Sequence, residues 1–315
     1  MTRAALLPTG SDPFLLAYWL RNFATWEQYV NELLIAVCGP LEDGPKDYIQ
    51  SLVDAIPKAS VYFIEKRTEH GVVIADLVSR TTATHVMLCE DDAFVRKPAV
   101  VQNSFSFAES GGIVGTPRES YASVEMISAS VAAYGKSYAY WPCFLFIARE
   151  HLEATDKRFG GTRFDAGDNF LGKTLKQPAL GDTMIWLSYQ LHAMHLPERL
   201  IDNHRLSGQT VPDDAPWFHV GSLSGGHGGL FMSDISDDLY RHEIRMFGLL
   251  PNGNALQRVS WWWRVWERAD DAAIPDYQER YAAGLSKVQT DLGIGWEAIE
   301  AHNRTIDPLI TWAER

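Results

Sequence analysis

The first ninety residues alternate between continuous apolar runs and segments in which apolar side chains recur every three or four positions. Four continuous runs predict buried strands: residues 4–8, 32–37, 60–64 and 86–89. Three segments with helical spacing predict helices: residues 14–23, 47–55 and 71–79. Strands that are apolar on both faces and separated by helices are typical of a mainly parallel sheet covered on both sides. We therefore expect an α/β fold with helices flanking the sheet.

The pattern is less regular beyond residue 92. Two further strands are predicted at residues 112–115 and 141–148, and a helix is predicted at residues 182–191. Residues 159–173 are rich in Gly and Asp, which favours a loop or a short helix.

Helical spacing returns near the carboxyl terminus, at residues 237–247 and 276–288. We place a domain boundary near residue 235. The expected organisation is an α/β domain over residues 1–235 and a helical extension over residues 236–315 that packs on it.

Composition indicates an ordinary globular protein, because 46% of the 315 residues are apolar and 22% are charged. No apolar run approaches the roughly 20 residues that a membrane-spanning helix needs. The amino terminus lacks the basic and then apolar pattern of a secretory signal, so we expect a cytoplasmic protein. The three cysteines are too few and too scattered for a disulfide scaffold or a cysteine-ligated zinc site.

The net charge of −12 argues against a broad electrostatic surface for nucleic acid, although a local basic groove stays open as an alternative. An acidic protein that binds an anionic substrate needs a metal ion or a few well-placed cations. Candidates for such cations are Arg80, Arg96, Lys97, Arg118 and Arg163.

Three consecutive acids, Glu90, Asp91 and Asp92, follow the strand predicted at residues 86–89, within the sequence HVMLCEDDAFV. Like charges at this spacing repel one another unless a positive charge lies among them. Ligands bind at the carboxyl ends of strands in an α/β sheet, and carboxylate oxygens suit Mg²⁺ or Mn²⁺. The acids therefore predict a metal site that can also accept a diphosphate. The alternative is an acidic turn that faces solvent.

This order of elements resembles the GT-A family of nucleotide-sugar glycosyltransferases over about residues 4–230. In that family the first strand ends at the nucleotide site, as Thr9 and Gly10 end the first strand here, and a later strand ends in an acidic DXD motif. Glu90, Asp91 and Asp92 resemble the Glu-Asp-Asp variant of that motif. The resemblance implies a Rossmann-like, mixed and mainly parallel sheet. It also implies that Asp92 is the main metal ligand and that Glu90 contacts the sugar or ribose, with an auxiliary role for Asp91 that stays open.

A late segment, WFHVGSLSGG at residues 217–226, also resembles the family. The resemblance implies that His219 completes the metal shell and that the backbone near Gly221 and Ser222 lies close to the diphosphate. Imidazole suits Mn²⁺ or Mg²⁺ beside carboxylates, and glycines let backbone N–H groups approach phosphate. The alternative for His219 is a histidine of the core or of a loop.

A catalytic base is harder to place than the metal ligands. Asp182 resembles the position, at the start of a helix, where inverting members of the family hold the base, although Gly181 replaces the Glu of the usual Glu-Asp pair. Asp182 is also a natural helix N-cap. Asp165 and Asp168 are rival candidates, but a loop Asp beside Gly more often shapes a turn. A retaining enzyme would need no dedicated base.

Tryptophan side chains offer surfaces on which sugar rings can stack. Trp141 and Trp186 lie nearest the expected acceptor cleft. The cluster WWWRVW at residues 261–266 favours packing of the C-terminal helices over sugar binding.

The resemblance and the acids together predict a hexosyltransferase-type glycosyltransferase that uses Mn²⁺ or Mg²⁺. A UDP-sugar is the expected donor, because uridine donors are common in the family, and the acceptor is a hydroxyl group of a glycan or of a modified nucleic-acid base. The alternatives are a nucleotidyltransferase, a metal-dependent phosphohydrolase and an inactive sugar-binding relative. A nucleotidyltransferase normally has a Gly-rich basic loop after its first strand, and residues 9–12 are not basic.

Overall fold

The computed structural model describes seven stretches of the chain: residues 1–10, 13–39, 43–66, 68–118, 124–181, 183–201 and 215–219. The strands, in chain order, are β1 (Arg3–Thr9), β2 (Glu32–Cys38), β3 (Ala59–Ile64), β4 (His85–Cys89), β5 (Ala93–Val95), β6 (Ile113–Arg118), β7 (Ala139–Ala148), β8 (Thr162–Phe164), β9 (Asn169–Phe170), β10 (Lys173–Thr174), β11 (Ala179–Gly181), β12 (Glu198–Leu200) and β13 (Trp217–His219). The helices are α1 (Pro13–Phe23), α2 (Asp43–Asp54), α3 (His70–Arg80), α4 (Ala99–Glu109), α5 (Val124–Tyr134), α6 (Arg149–Glu153) and α7 (Ile185–Ala193). A 3-10 turn, Glu27–Tyr29, precedes β2.

Seven of the strands form one sheet among the described residues, in the order β12-β6-β7-β4-β1-β2-β3. β7 runs antiparallel to both of its neighbours, β4 and β6, and the other pairs in this sheet are parallel. This architecture confirms the predicted α/β fold with a mixed, mainly parallel sheet flanked by helices. β4 lies at the centre of the sheet, so its carboxyl end opens at the middle of one edge.

Helices cover both faces of the sheet. Successive residues of each strand point to opposite sides, so each strand contributes side chains to both cores. In β1, Ala5 and Leu7 belong to the core that also contains residues of α1, α2 and α4. Ala4 and Leu6 belong to the core that contains residues of α3 and α7. A fully buried leucine stabilises the fold by about 2 kcal/mol relative to an exposed one, and burial on both faces explains why the central strands are continuous apolar runs.

The four strands and three helices predicted before residue 92 are confirmed, with boundaries that differ by a few residues. Beyond residue 92 the apolar pattern predicts fewer helices and strands than the structure contains. It does not predict α4 or α5, and residues 159–173 contain short antiparallel strands, with β8 paired to β11 and β9 to β10, where a loop or short helix was expected. α7 begins at Ile185 and not at residue 182, because Met184 has a left-handed backbone with a φ of 70°.

Residues 220–315 lie outside the described residues, so the boundary near residue 235 and the helical extension over residues 236–315 stay predictions. The same holds for the tryptophan cluster at residues 261–266. Within the part of the chain that the structure describes, no helix combines the length and the apolar character that crossing a membrane requires.

Candidate metal centre

The predicted acidic site lies at the carboxyl end of the central strand. β4 is buried along its whole length and pairs with β1 on one side and β7 on the other. The chain leaves the sheet through Glu90, Asp91 and Asp92 and then forms the short strand β5. The acids therefore emerge beside the end of β1, where Thr9 and Gly10 lie.

A separate pair of short strands brings His219 to these acids. β13 pairs antiparallel with β5, and the register places His219 opposite Ala93, the residue that follows the acids. Trp217 is fully buried and stacks on Phe144, with ring centres 4.6 Å apart. Residues i and i+2 of a strand point to the same face. The packing of Trp217 therefore sets the direction of the His219 side chain.

The imidazole of His219 lies between two of the carboxylates. Its Nε2 atom is 3.1 Å from Asp92 Oδ1 and 3.3 Å from Glu90 Oε2. One potential ligand atom from each of the three residues lies within 4.8 Å of the others. The side chains of His219 and Asp92 are each 3% exposed, whereas that of Glu90 is 15% exposed. We call these three residues the metal cluster; it reaches solvent on the Glu90 side.

Two carboxylates create a strong demand for positive charge at His219. Burial lowers the pKa of His219, but attraction and hydrogen bonding to Asp92 and Glu90 outweigh this and raise the pKa to about 10. Two carboxylates and an imidazole are a suitable donor set for Mn²⁺ or Mg²⁺. A divalent cation that displaces the imidazole proton would balance the negative charge of the two carboxylates with two positive charges in place of one. The residues of the cluster therefore fit the metal that the sequence predicts.

The first two acids of the triplet have different contacts in the structure. Glu90, expected to contact the sugar or ribose, has its carboxylate in the metal cluster. Asp91 has no solvent exposure, and its Oδ2 accepts a hydrogen bond from Thr9 Oγ1 at 2.5 Å. Asp91 therefore joins the ends of β4 and β1 and positions Thr9 and Gly10 beside the cluster. Contacts with the sugar nucleotide by Thr9, Gly10, Glu90 and Asp91 stay predictions.

His70 is a site residue that the sequence analysis does not find. It is the first residue of α3, and its Nδ1 lies 3.7 Å from Glu90 Oε1. Glu90 thus directs one carboxylate oxygen towards His70 and the other towards His219. The signal that could have found His70 is its place at the start of a helix after a parallel strand, because such helices begin at the ligand-binding edge of the sheet.

The two tryptophans predicted as sugar contacts have different surroundings. The ring of Trp141 lies 5.0 Å from the imidazole of His219, centre to centre, at an interplanar angle of 71°. Trp186 packs against Phe164 and Phe170. Its Nε1 also donates a hydrogen bond of 2.6 Å to Asp156 Oδ2. Trp141 borders the metal cluster, whereas Trp186 secures the short antiparallel strands against α7.

The candidate bases are only partly within the described structure. Asp182, Gly221 and Ser222 lie outside the described residues, so their roles stay predictions. Asp168 Oδ2 accepts a hydrogen bond of 2.8 Å from the backbone N–H of Asp165. Both side chains are exposed. This contact is that of a turn, which is the alternative that the neighbouring glycine favours.

No family model matches the chain, and no curated protein sequence matches it. Solved structures with a similar fold include the mannosyltransferase PcManGT from Pyrobaculum calidifontis in complex with GDP-Man and Mn²⁺, at a TM-score of 0.45 and 14% identity over 99% of this chain and 83% of that chain. The galactosyltransferase LgtC, in complex with donor and acceptor sugar analogues, has a TM-score of 0.41 and 8% identity over 70% of this chain and 88% of that chain. Glucosyl-3-phosphoglycerate synthase from Mycobacterium tuberculosis, with Mn²⁺ and UDP-glucose, has a TM-score of 0.35 and 15% identity over 49% of this chain and 58% of that chain. Because these scores lie below 0.5, the proposed function depends on the geometry of the site.

Proposed function

We propose that the protein is a metal-dependent glycosyltransferase that moves a sugar from a nucleotide-sugar to a hydroxyl group of an acceptor. The observation that carries this proposal is the cluster of Glu90, Asp92 and His219 at the carboxyl end of β4, directly beside the end of β1. Nucleotides bind at this edge of α/β sheets. One site can therefore take both a cation and the diphosphate of a donor.

The metal cluster would hold Mn²⁺ or Mg²⁺, which supplies positive charge for the diphosphate leaving group when bound. The burial of Asp92 and His219 excludes water from one side of the cluster, which strengthens its attraction for charge. Thr9 and Gly10 would contact the nucleotide, and the hydrogen bond between Thr9 and Asp91 fixes their position relative to the cluster.

The remaining roles in this proposal come from the resemblance of the sequence. Asp182 is our candidate for the base that accepts the proton of the acceptor hydroxyl. Gly221 and Ser222 are candidates for backbone contacts to the diphosphate. A UDP-sugar is the expected donor, because uridine donors are common among enzymes with this motif.

Thermal unfolding with a panel of nucleoside diphosphates and nucleotide-sugars, with and without Mn²⁺, tests the proposal. A ligand present at a hundred times its Kd stabilises the native state by about 2.7 kcal/mol. We expect one nucleotide to raise Tm by about 5–10 °C, and only when Mn²⁺ is present. Asp92→Ala should abolish this shift. Asp54→Ala, which removes an exposed carboxylate from α2, should retain it.

The absence of a shift with every nucleotide would contradict the proposal. Product analysis then separates the alternatives. Transfer of the sugar from a nucleotide-sugar to a hydroxyl acceptor with release of a nucleoside diphosphate indicates a glycosyltransferase. Release of pyrophosphate from a nucleoside triphosphate and a sugar 1-phosphate indicates a nucleotidyltransferase, and hydrolysis of a nucleotide-sugar to a nucleoside monophosphate and a sugar 1-phosphate indicates a phosphohydrolase. Sugar binding that does not depend on metal indicates an inactive relative.

A further inference from the structure

One of the five cations that the sequence offers for anion binding, Arg118, lies over the ring of Trp141, beside the metal cluster. Arg80 ends α3, at the edge of the sheet opposite the metal cluster, and its Nε lies 2.9 Å from Asp76 Oδ2. Arg163 is exposed on β8, and its Nε lies 3.5 Å from Asp165 Oδ1. Arg118 is the last residue of β6, and β6 runs in the same direction as β4 because both are antiparallel to β7. Arg118 therefore lies at the same edge as the acids.

Trp141 connects the guanidinium of Arg118 to the metal cluster. The Cζ atom of Arg118 lies 4.5 Å from the centre of the Trp141 ring, and that ring is in edge-to-face contact with the imidazole of His219. One indole thus separates the guanidinium from a candidate metal ligand.

The buried thiol of Cys143 lies among these charges. Burial raises the pKa of Cys143, the carboxylates of the cluster raise it further, and Arg118 lowers it.

Arg118 lies on the side of the metal cluster that faces away from the end of β1. The strands follow one another along the sheet in the order β1, β4, β7 and β6. In the proposed reaction the nucleotide binds at β1 and the diphosphate binds at the acids after β4. The transferred sugar and the acceptor then lie towards β7 and β6, which carry Trp141 and Arg118.

We propose that Arg118, whose guanidinium lies over the ring of Trp141, binds a carboxylate or phosphate group of the acceptor. This inference rests on the proposed function, and it specifies the acceptor as an anionic molecule. A guanidinium is attracted to the face of an aromatic ring, and its N–H donors, which lie in one plane, match two oxygens of a carboxylate or phosphate. An anionic acceptor needs such a cation, because the carboxylates of the metal cluster would otherwise repel it.

A segment that packs in part on α5 is richer in cations than the chain as a whole, which has a net charge of −12. Residues 155–181 contain five Lys or Arg and three Asp. All five cations are exposed: Lys157, Arg158, Arg163, Lys173 and Lys176. The segment lies against α5, the helix that follows Arg118 in the chain, since Lys173 Nζ is 3.4 Å from Ser128 Oγ. Positive charge here would attract an anionic acceptor towards Arg118.

Binding of small anions to the protein saturated with Mn²⁺ and UDP tests the inference, with another nucleoside diphosphate in place of UDP if the panel favours it. The probes are glycerol 3-phosphate and glycerate, and glycerol is the uncharged match. We expect the wild type to bind the anions more tightly than glycerol. Arg118→Gln should weaken anion binding about tenfold or more, because a charged hydrogen-bond donor is lost, while the Kd of UDP stays the same. Arg80→Gln, the same substitution at the opposite edge, should change neither affinity.

Arg118→Lys tests the geometry, because lysine keeps the charge but loses the planar pair of donors. We expect anion affinity between that of the wild type and that of Arg118→Gln. Anion binding that survives Arg118→Gln, or a wild type that prefers neither anion to glycerol, would overturn the inference and leave the proposed function standing. A weaker affinity for UDP in Arg118→Gln would assign the guanidinium to the donor and would also overturn it. A wild type that binds no nucleotide with Mn²⁺ would contradict the proposed function itself.

Discussion

At the scale of single residues, the three consecutive acids have different surroundings. Glu90 and Asp92 direct carboxylate oxygens towards His219, whereas Asp91 bonds to Thr9 on the neighbouring strand. The chain turns at these acids, because the backbone N–H of Ala93 donates a hydrogen bond of 3.1 Å to the carbonyl oxygen of Glu90, so the three side chains leave the strand in different directions. A run of three acids can therefore supply two metal ligands and one structural tie, and the repulsion among them falls because only two face the same site.

His70 adds a prediction at this scale, because it contacts the oxygen of Glu90 that does not face His219. A distance of 3.7 Å fits electrostatic or water-bridged contact, which would keep the carboxylate oriented. Partners that orient metal ligands typically contribute about 10–100-fold to metal affinity. We expect His70→Ala to weaken Mn²⁺ binding at the lower end of this range, measured by calorimetric titration.

The controls for His70 separate orientation from general effects of the substitution. His70→Asn keeps a donor near the position of Nδ1 and should recover most of the Mn²⁺ affinity. His151→Ala, on α6, should leave the affinity at the wild-type value. Equal Mn²⁺ affinities for His70→Ala and the wild type would show that Glu90 needs no support from this side.

At the scale of elements, the site depends on the pairing of two three-residue strands, β5 and β13. The carbonyl oxygen of Pro216 extends this pairing, because it accepts hydrogen bonds of 2.9 Å from the backbone N–H groups of both Arg96 and Lys97. Two-stranded pairs are marginal on their own. Packing of Trp217 on Phe144 therefore has to stabilise β13 against the main sheet.

Trp217→Ala should consequently damage both the fold and the site. Loss of a fully buried tryptophan lowers the free energy of unfolding by about 3–5 kcal/mol. Because β13 also carries His219, we expect Mn²⁺ affinity to fall as well, measured well below the melting temperature of the variant. Phe105→Ala is the matched control, since Phe105 is equally buried in the same core but lies on α4. It should lower stability without lowering Mn²⁺ affinity, and equal losses of affinity in the two variants would contradict this account.

At the scale of the whole molecule, a buried histidine couples stability to pH. His192, on α7, is 1% exposed. Four aromatic rings surround it, with centres 5.1 to 6.4 Å from its own: Tyr134, Tyr138, Tyr140 and Tyr189. Burial lowers the pKa of His192 to about 4; the charge of Lys136 also lowers it, and Glu198 acts in the opposite direction. The native state therefore keeps His192 neutral under mildly acidic conditions.

The free energy of unfolding should decrease as the pH falls from about 6.5 towards about 4, because the unfolded chain takes up a proton at His192 that the native state does not. The loss between about pH 7.5 and pH 5 amounts to about 2 kcal/mol. His192→Phe removes this contribution, so urea unfolding should depend less on pH by that amount. His151→Phe should follow the wild type. Parallel pH profiles for His192→Phe and the wild type would rule out the coupling.

The sequence by itself determined the order of strands and helices up to the acids, and the place of Glu90, Asp91 and Asp92 at the carboxyl end of a buried strand. Burial of β4 on both faces requires a continuous apolar run, and an amphipathic helix such as α3 requires apolar residues at helical spacing. These signals depend on residues close together in the chain. The apolar patterns weaken beyond residue 92. Strands of two or three residues there are too short to show a pattern, and the left-handed backbone of Met184 leaves no apolar signal in the sequence.

Only the tertiary structure decided which side chains meet. It brought His219 to within 3.1 Å of Asp92 through the pairing of β13 with β5, turned Asp91 towards Thr9, and placed Arg118 against Trp141. The direction of a side chain at the end of a strand depends on packing between distant parts of the chain, as in the stack that holds β13 on β7. Apolar periodicity along the sequence carries no information about such contacts, because it reports whether a residue is buried and not which residue it is buried against.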